Sequence, residues 1–500
     1  MTTIYFDFNI SYFSYWAFNP DNFEWMKRWY FGIFAALFGV DSFLFLSALL
    51  VAYKFSKQMA ANAKRRPMGW RRECYFWFMY TFARWLRLMP VLLTVMLTAW
   101  FLVGKLSTSP GWPGWWNSSY VEPCNKYWWA TLLFIQNLYP GGSSFGNKGD
   151  FCIGVSWYLA VDMQLYVFVA PAVLITFHYG LYLRPLQAMR RVFGWAALVA
   201  CMLASIGATA YVVIEHDVMW QFLGVGDFQR YYITPWCRAP PYIMGLALGL
   251  LLHQLAEESP ERLERMRARA KCWMLTLAWL VAFGVLLFLV FIPSIYISTP
   301  EGEMPPLAAE TGAGMTPPQT QAYMILKYVL WGCCLFVLFG INSIGKGWFV
   351  NDILSAFVWA PIAKLTYGAY LLSILIQNVV TQSLITDPVY YNTWTTLSYW
   401  VSFICGAYFM SFLLFMCVEA PFGNLLKFAM KGLHGNAQRE AEEKSASGEG
   451  DDAKSEGADG GREIFPENPS SAHIEIVQAT AQSFLTSKTL NARNGSGGSP

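Results

Sequence analysis

Residues Tyr30 to Tyr53 read YFGIFAALFGVDSFLFLSALLVAY, an apolar run broken by a single carboxylate, Asp41, and followed at once by Lys54. A helix rises about 1.5 Å per residue, so this run can cross a hydrocarbon layer of about 30 Å. A carboxylate in its middle is costly unless another group answers it. Working outward, runs of the same kind lie at Tyr80 to Val103, Ile153 to Phe177, Val192 to Ile214 and Pro240 to Leu255. Others follow at Trp273 to Ile292, Tyr323 to Ile341, Phe357 to Val380 and Leu397 to Val418. The expected fold is all-α: a polytopic transmembrane helix bundle of about nine spans. A further stretch, Trp128 to Tyr139, is too short to cross and reads as an interfacial or re-entrant piece rich in aromatics.

Composition agrees. Only 13% of residues are charged and 55% are hydrophobic, against about 25% charged in soluble domains, which excludes an ordinary soluble enzyme. The apolar load also excludes a disordered or fibrous chain. The net charge of +3 is uneven: Gly435 to Pro500 hold 6 basic and 11 acidic residues, a net of −5, leaving +8 for the rest. That balance argues against a nucleic-acid partner and for basic loops facing anionic membrane lipids. Three parts are expected: an extracytoplasmic segment 1–28, a transmembrane domain 29–427 and a cytoplasmic tail 428–500. The tail is too polar to bury a core and is disordered by composition. Most cysteines lie inside apolar runs as small hydrophobes. No CxxC or His/Cys cluster at zinc spacing occurs, so no metal site is expected.

Basic residues orient the spans. Lys54, Lys57, Lys64, Arg65, Arg66, Arg71 and Arg72 fill one loop; Arg184, Arg190 and Arg191 come two spans later. Arg262, Arg265, Arg267, Arg269 and Lys271 come two spans after that, whereas the alternate loops hold almost none. By the positive-inside rule these loops and the C-terminus are cytoplasmic, in the plasma membrane or the endoplasmic reticulum. The sequons Asn9-Ile10-Ser11 and Asn117-Ser118-Ser119 both fall on the outer side as glycosylation candidates. Cys124 and Cys152 share that oxidising side, either as a disulfide or as two unpaired thiols. Met1 is followed by no basic n-region or short apolar core, so no signal peptide is read. Either the first span is a reverse anchor or an upstream span is missing; the second is favoured. Glu419 to Lys427 reads as a short amphipathic helix at the inner surface.

Polar residues inside the spans are the site candidates. Asp41 either holds a catalytic cation or hydroxyl, or pairs structurally with an arginine of a neighbouring helix. Arg84 and Arg87, at i and i+3, share a helical face near the inner leaflet, with a kink expected at Pro90. They suit bidentate recognition of phosphate, or else snorkel to headgroups. Asp162 and Gln164 open the third span, and Arg238 is a plausible partner for Asp162, structural or functional. Gly245-x-x-x-Gly249 reads as close helix packing. Thr366, Tyr370, Ser373 and Gln377 form one polar stripe that either lines a cavity or glues helices. None of the five histidines sits mid-membrane, so no general base of the usual kind is visible.

Together these segments resemble a known family. Asp41 to Ser47 (DSFLFLS), Phe82 to Pro90 (FARWLRLMP), Cys152 to Gln164, Leu365 to Leu371 (LTYGAYL) and Val418 to Lys427 (VEAPFGNLLK) match its motifs in order. The family is the acyltransferase-3 superfamily, of the animal nose resistant to fluoxetine type. The resemblance implies a multi-pass acyltransferase moving an acyl group, from acyl-CoA as co-substrate, to a hydroxyl of a carbohydrate or lipid, with no bound cofactor. It implies catalytic roles for Arg84 and Arg87, and for Asp41 and Ser47 in the adjacent motif, where Ala48 replaces the usual glycine. Trp157, Tyr158, Asp162, Gln164, Arg238, Tyr367, Tyr370 and Ser373 are then candidates for substrate binding. Members usually carry an earlier span with an arginine and, about eleven residues on, a histidine that serves as the base. This chain begins after that point, and Ser373 stands where many members have a histidine. The resemblance therefore implies activity lowered by the roughly 10²- to 10⁴-fold such a base contributes, as in a truncated gene model, a short isoform or an inactive paralogue. The competing expectation is lipid or xenobiotic transport or handling without catalysis.

Overall fold

A computed structural model describes residues 20–63, 70–107, 111–140, 151–179, 189–218, 228–295, 317–345, 347–383 and 393–425. The sequon at Asn9 and the acidic tail lie outside the described residues. In chain order the helices are α1 (Pro20–Ala63), α2 (Trp70–Leu97), α3 (Trp112–Trp116), α4 (Glu122–Leu132), α5 (Trp157–Tyr179), α6 (Arg190–Glu215) and α7 (Pro235–His253). Then come α8 (Pro260–Arg269), α9 (Cys272–Ile295), α10 (Pro317–Ser343), α11 (Trp348–Leu354), α12 (Trp359–Ser383) and α13 (Thr393–Leu414). Among the described residues there is no strand, and 9 helical stretches are long and apolar enough to cross a membrane. They follow the apolar runs one for one, with shifted ends: the first is Phe38–Met59 and the last Leu397–Leu425. The fold is therefore an all-α bundle of membrane-spanning helices.

One detail differs from the sequence reading, while α2 runs through Pro90 as one helix. The helix of the ninth span continues past Glu419 to Leu425 instead of stopping for a separate surface helix. A chain already in a helix extends by one hydrogen bond per residue, whereas starting a new helix costs a nucleus.

At the centre, α1 lies against α7. A Cβ on Gly245 would overlap the Phe45 carbonyl oxygen and come within 2.9 Å of Ala48 Cβ. One on Gly249 would sit 2.6 Å from the Leu49 oxygen and 2.7 Å from Ala52 Cβ. Small residues at a spacing of four on both helices thus let the backbones touch. Inside a membrane, such close packing replaces the hydrophobic drive that lipid cannot supply. Residue numbers rise together across this contact, so α1 and α7 are parallel. The pairs Ser47–Asp162 and Ser56–His178 make α5 parallel to them as well, while Arg84–Ser47 and Trp77–Phe55 make α2 antiparallel. α1, α5 and α7 belong to the first, third and fifth spans and α2 to the second, which is the alternation a chain crossing back and forth must show.

One core cluster packs α1, α5 and α7 against α2, α4 and α12; a second packs α1 and α7 against α9 and α10. At the end of the bundle where α6 begins with Arg190 and Arg191 lies α8, started by Pro260 and Glu261 and ended by Arg267 and Arg269, charges that suit the helix dipole. Arg267 Nε donates to Ile344 O (3.1 Å), tying α8 to the end of α10. At the opposite, aromatic end, Trp112 Nε1 donates to Gly104 O (3.1 Å) and Trp116 Nε1 to Ala99 O (2.9 Å). These indoles satisfy carbonyls beyond the end of α2 that have few other donors.

Candidate functional site

Three helices bring Ser47, Arg84 and Asp162 together. Ser47 Oγ donates to Asp162 Oδ1 (2.8 Å), and Arg84 Nη2 donates to Ser47 Oγ (3.0 Å). The same Nη2 forms an ion pair with Asp162 Oδ2. The carboxylate is 7% exposed and the arginine side chain 23%, so the set is buried on one side and reachable on the other. The Arg84 guanidinium lies 4.4 Å above the centre of the Tyr166 ring. Tyr166 in turn stacks on Trp77 and Tyr80, at ring separations of 5.7 and 5.5 Å. One α2 stripe, Trp77, Thr81 and Arg84, at spacings of four and three, thus forms a wall beside the centre. Trp77 Nε1, Thr81 Oγ1 and Arg84 Nε are buried there without hydrogen-bond partners, as is Tyr242 Oη of α7.

The paired arginines part company. Arg87 is exposed, within electrostatic reach of Glu419 and Tyr367 at the edge of the bundle. Residues three apart point about 60° away from each other around a helix, enough to put one inside and the other outside.

Arg238 meets Asp41 and not Asp162. Its Nη1 donates to Asp41 Oδ2 (2.6 Å), with both side chains 0% exposed, and its Nε donates to Tyr232 O (2.8 Å). The guanidinium sits 4.1 Å from the Tyr232 ring, 4.5 Å from Tyr328 and 5.6 Å from Trp157. Asp41 is six residues before Ser47, about 9 Å along α1, so the two carboxylates occupy different levels of the bundle. Lys327, a buried amine in the seventh span that the sequence reading passed over, lies at the level of Asp41 and Arg238. Its Nζ lies 3.2 Å from Met324 Sδ and 4.9 to 5.5 Å from the rings of Tyr231, Tyr328 and Tyr323. A lone lysine inside an apolar run was a signal available from the start.

Most of the remaining candidates tie separate segments together, while Ser373 bonds within its own helix. Gln164 and Asn137 exchange amide hydrogen bonds (2.7 and 3.0 Å), and Gln164 Nε2 also donates to Phe134 O (2.9 Å). Gln136 Nε2 donates to Ser156 O (2.8 Å). The short aromatic piece after α4 is thereby anchored in the bundle by buried amides, with Phe134 in the left-handed region at φ 57°. Tyr158 packs edge-on against Tyr370 at 5.8 Å. Tyr370 donates to Val155 O (2.6 Å), Tyr367 to Leu88 O (2.8 Å) and Ser373 to Tyr370 O (2.9 Å). Cys124 and Cys152 are joined as a disulfide. Asn117 is exposed, its Nδ2 donating to Glu122 Oε1 (3.0 Å). At the basic end His178 Nε2 lies 2.9 Å from Ser56 Oγ, with its ring 6.3 Å from that of His253. Among the described residues no group of three or more His, Cys, Asp or Glu is placed to hold a metal ion.

Comparison with known proteins bears on this arrangement. A family model described as "Acyltransferase domain", that of acyltransferase-3, matches residues 5–416. The chain is 25% identical over 415 residues to nose resistant to fluoxetine protein 6 of Caenorhabditis elegans, an alignment covering 81% of this chain and 47% of that protein. The chain thus spans about half the length of this curated relative. No solved structure matches it. With the model covering Ser47, Arg84 and Asp162 and all but the end of the helical bundle, the chain belongs to the acyltransferase-3 family.

Proposed function

We propose that this protein is an integral membrane acyltransferase that moves an acyl group from a coenzyme A thioester to a hydroxyl of a carbohydrate or lipid. The observation that carries this reading is the Ser47–Arg84–Asp162 set, in which a carboxylate and a guanidinium already hold a hydroxyl between them. Acyl transfer to an alcohol needs a group to accept the hydroxyl proton and fixed donors for the carbonyl oxygen. Asp162 supplies the first, and Ser47 keeps that carboxylate oriented. Arg84 commits only Nη2 to the pair, which leaves its Nε for a ligand. Exposed Arg87, three residues away, suits the phosphates of the donor. With the basic loops in the cytosol the donor arrives from that side, and the C-terminus is cytoplasmic, in the plasma membrane or the endoplasmic reticulum.

The competing reading, lipid or xenobiotic handling without catalysis, would use the α12 stripe as a polar path. Thr366 and Ser373 donate to carbonyls of their own helix and Tyr370 to Val155 O of a neighbouring segment, so these hydroxyls are spent on the backbone instead of lining a path. The test is incorporation of labelled acyl groups from acetyl- and palmitoyl-coenzyme A into membranes expressing the protein. Arg84→Lys, which keeps the charge but loses the planar fork, is expected to lower kcat by about 10²-fold. Arg87→Ala is expected to raise KM for the donor with little change in kcat. Full incorporation by Arg84→Lys would overturn the reading.

A further inference from the structure

We infer that Tyr166 is a positioning residue for Arg84, its ring fixing the plane of the guanidinium that serves the acyl group; this rests on the acyl-transfer reading above. Asp162 and Tyr166 stand four residues apart on α5 and so share one face of that helix. From that face the carboxylate takes one edge of the guanidinium, through Nη2, and the ring takes its flat side, 4.4 Å from the ring centre. The hydrogen bonds alone do not fix the plane. Nη2 makes both of them, to Ser47 Oγ and Asp162 Oδ2, and Nε makes none. A planar group held by a single nitrogen can turn about that nitrogen, and a ring lying against its face stops the turn.

The ring is itself braced. Tyr166 is 1% exposed and stacks on Trp77 and Tyr80 of α2, with interplanar angles of 24° and 23°. Phe55 of α1 packs edge-on against Trp77 and Tyr80 at 5.0 and 6.0 Å. Rings from three helices thus hold Tyr166 in place, and the guanidinium rests on a surface that cannot follow it if it swings. The negative face of an aromatic ring attracts a cation within about 6 Å, and more strongly where water is scarce. The Arg84 side chain is 23% exposed, so it remains reachable while its plane is held. A displacement of about 1 Å at a reacting group can cost about 10²-fold in rate, so an arginine on a long, rotatable stem gains from such a support.

The test changes the charge pattern of the ring and keeps its shape. In the full chain, Tyr166→Phe is compared with replacement of Tyr166 by pentafluorophenylalanine, whose ring face is positive instead of negative. With acetyl- and palmitoyl-coenzyme A as donors, Tyr166→Phe is expected to keep kcat within about threefold of the parent. The fluorinated protein is expected to lose a further 10- to 30-fold or so in kcat, with KM for the donor nearly unchanged. In an Arg84→Lys background the same exchange should cost less than about threefold, because the planar cation it acts through is gone. Both proteins should unfold in detergent at the same temperature, since their side chains fill nearly the same space. Equal kcat for the two, an undiminished loss in the Arg84→Lys background, or a lower midpoint that accounts for the lost activity would each overturn the inference while leaving acyl transfer standing. If the parent protein transfers no acyl group above control membranes, the acyl-transfer reading itself falls, and the inference with it.

Discussion

Asp41 and Arg238 are both sealed from solvent and, at the scale of single residues, answer each other directly, with tyrosine rings packed on the guanidinium. Removing one partner strands a buried charge, whereas removing both need not. Asp41→Ala is therefore expected to cost about 3–5 kcal/mol of stability, read as unfolding in detergent. Combining Asp41→Leu with Arg238→Met should recover most of that loss; a double variant as unstable as the single one would mean that the pair does more than neutralise itself. Asp162 differs because it is tied to a partly open arginine and a hydroxyl. Composition and spacing marked all four charged residues as important. They did not say which acid meets which base, since arginines and acids far apart in sequence can be matched in more than one way until the helices pack.

At the scale of elements, the contact between α1 and α7 sets the position of everything in the site. Gly245 and Gly249 were legible as a packing motif, and Ala48 and Ala52 show the same spacing of four on α1. That these two small-residue faces meet was not legible, because several spans carry small residues. Gly245→Ala should be destabilising by about 1–3 kcal/mol, the usual cost of overpacking, read as a lower unfolding midpoint. Shortening a neighbouring side chain, as in Ala48→Gly, should not rescue it, because its nearest obstacle is the Phe45 backbone carbonyl. Rescue by Ala48→Gly would show that the helices can slide apart at this level. The end of the ninth span was misjudged for a related reason: Glu419 looked like a boundary, but it faces the exposed Arg87 electrostatically and the helix continues past it.

For the whole molecule, the alternation of basic and non-basic loops predicts which side each end occupies. Asn117 is exposed at the aromatic end, away from Arg190 and α8. Treatment of the expressed protein with an N-glycosidase should lower its apparent mass, and the shift should shrink in Asn117→Gln and vanish when Asn9→Gln is added. A C-terminal epitope should be reached by antibody only after permeabilisation; an epitope accessible in intact cells would reverse the topology. The sequence by itself determined the class of fold and the crossing pattern, because hydrophobic length and charge placement act locally along the chain. It also marked Arg84, Asp162 and Ser47 through motifs that need no partner to be recognised. Only the tertiary structure decided that these three meet, that Arg87 faces outward and that Arg238 belongs to Asp41. Those facts depend on how α1, α2, α5 and α7 pack side by side, and packing between distant segments is written in shape complementarity and not in any local period of the sequence.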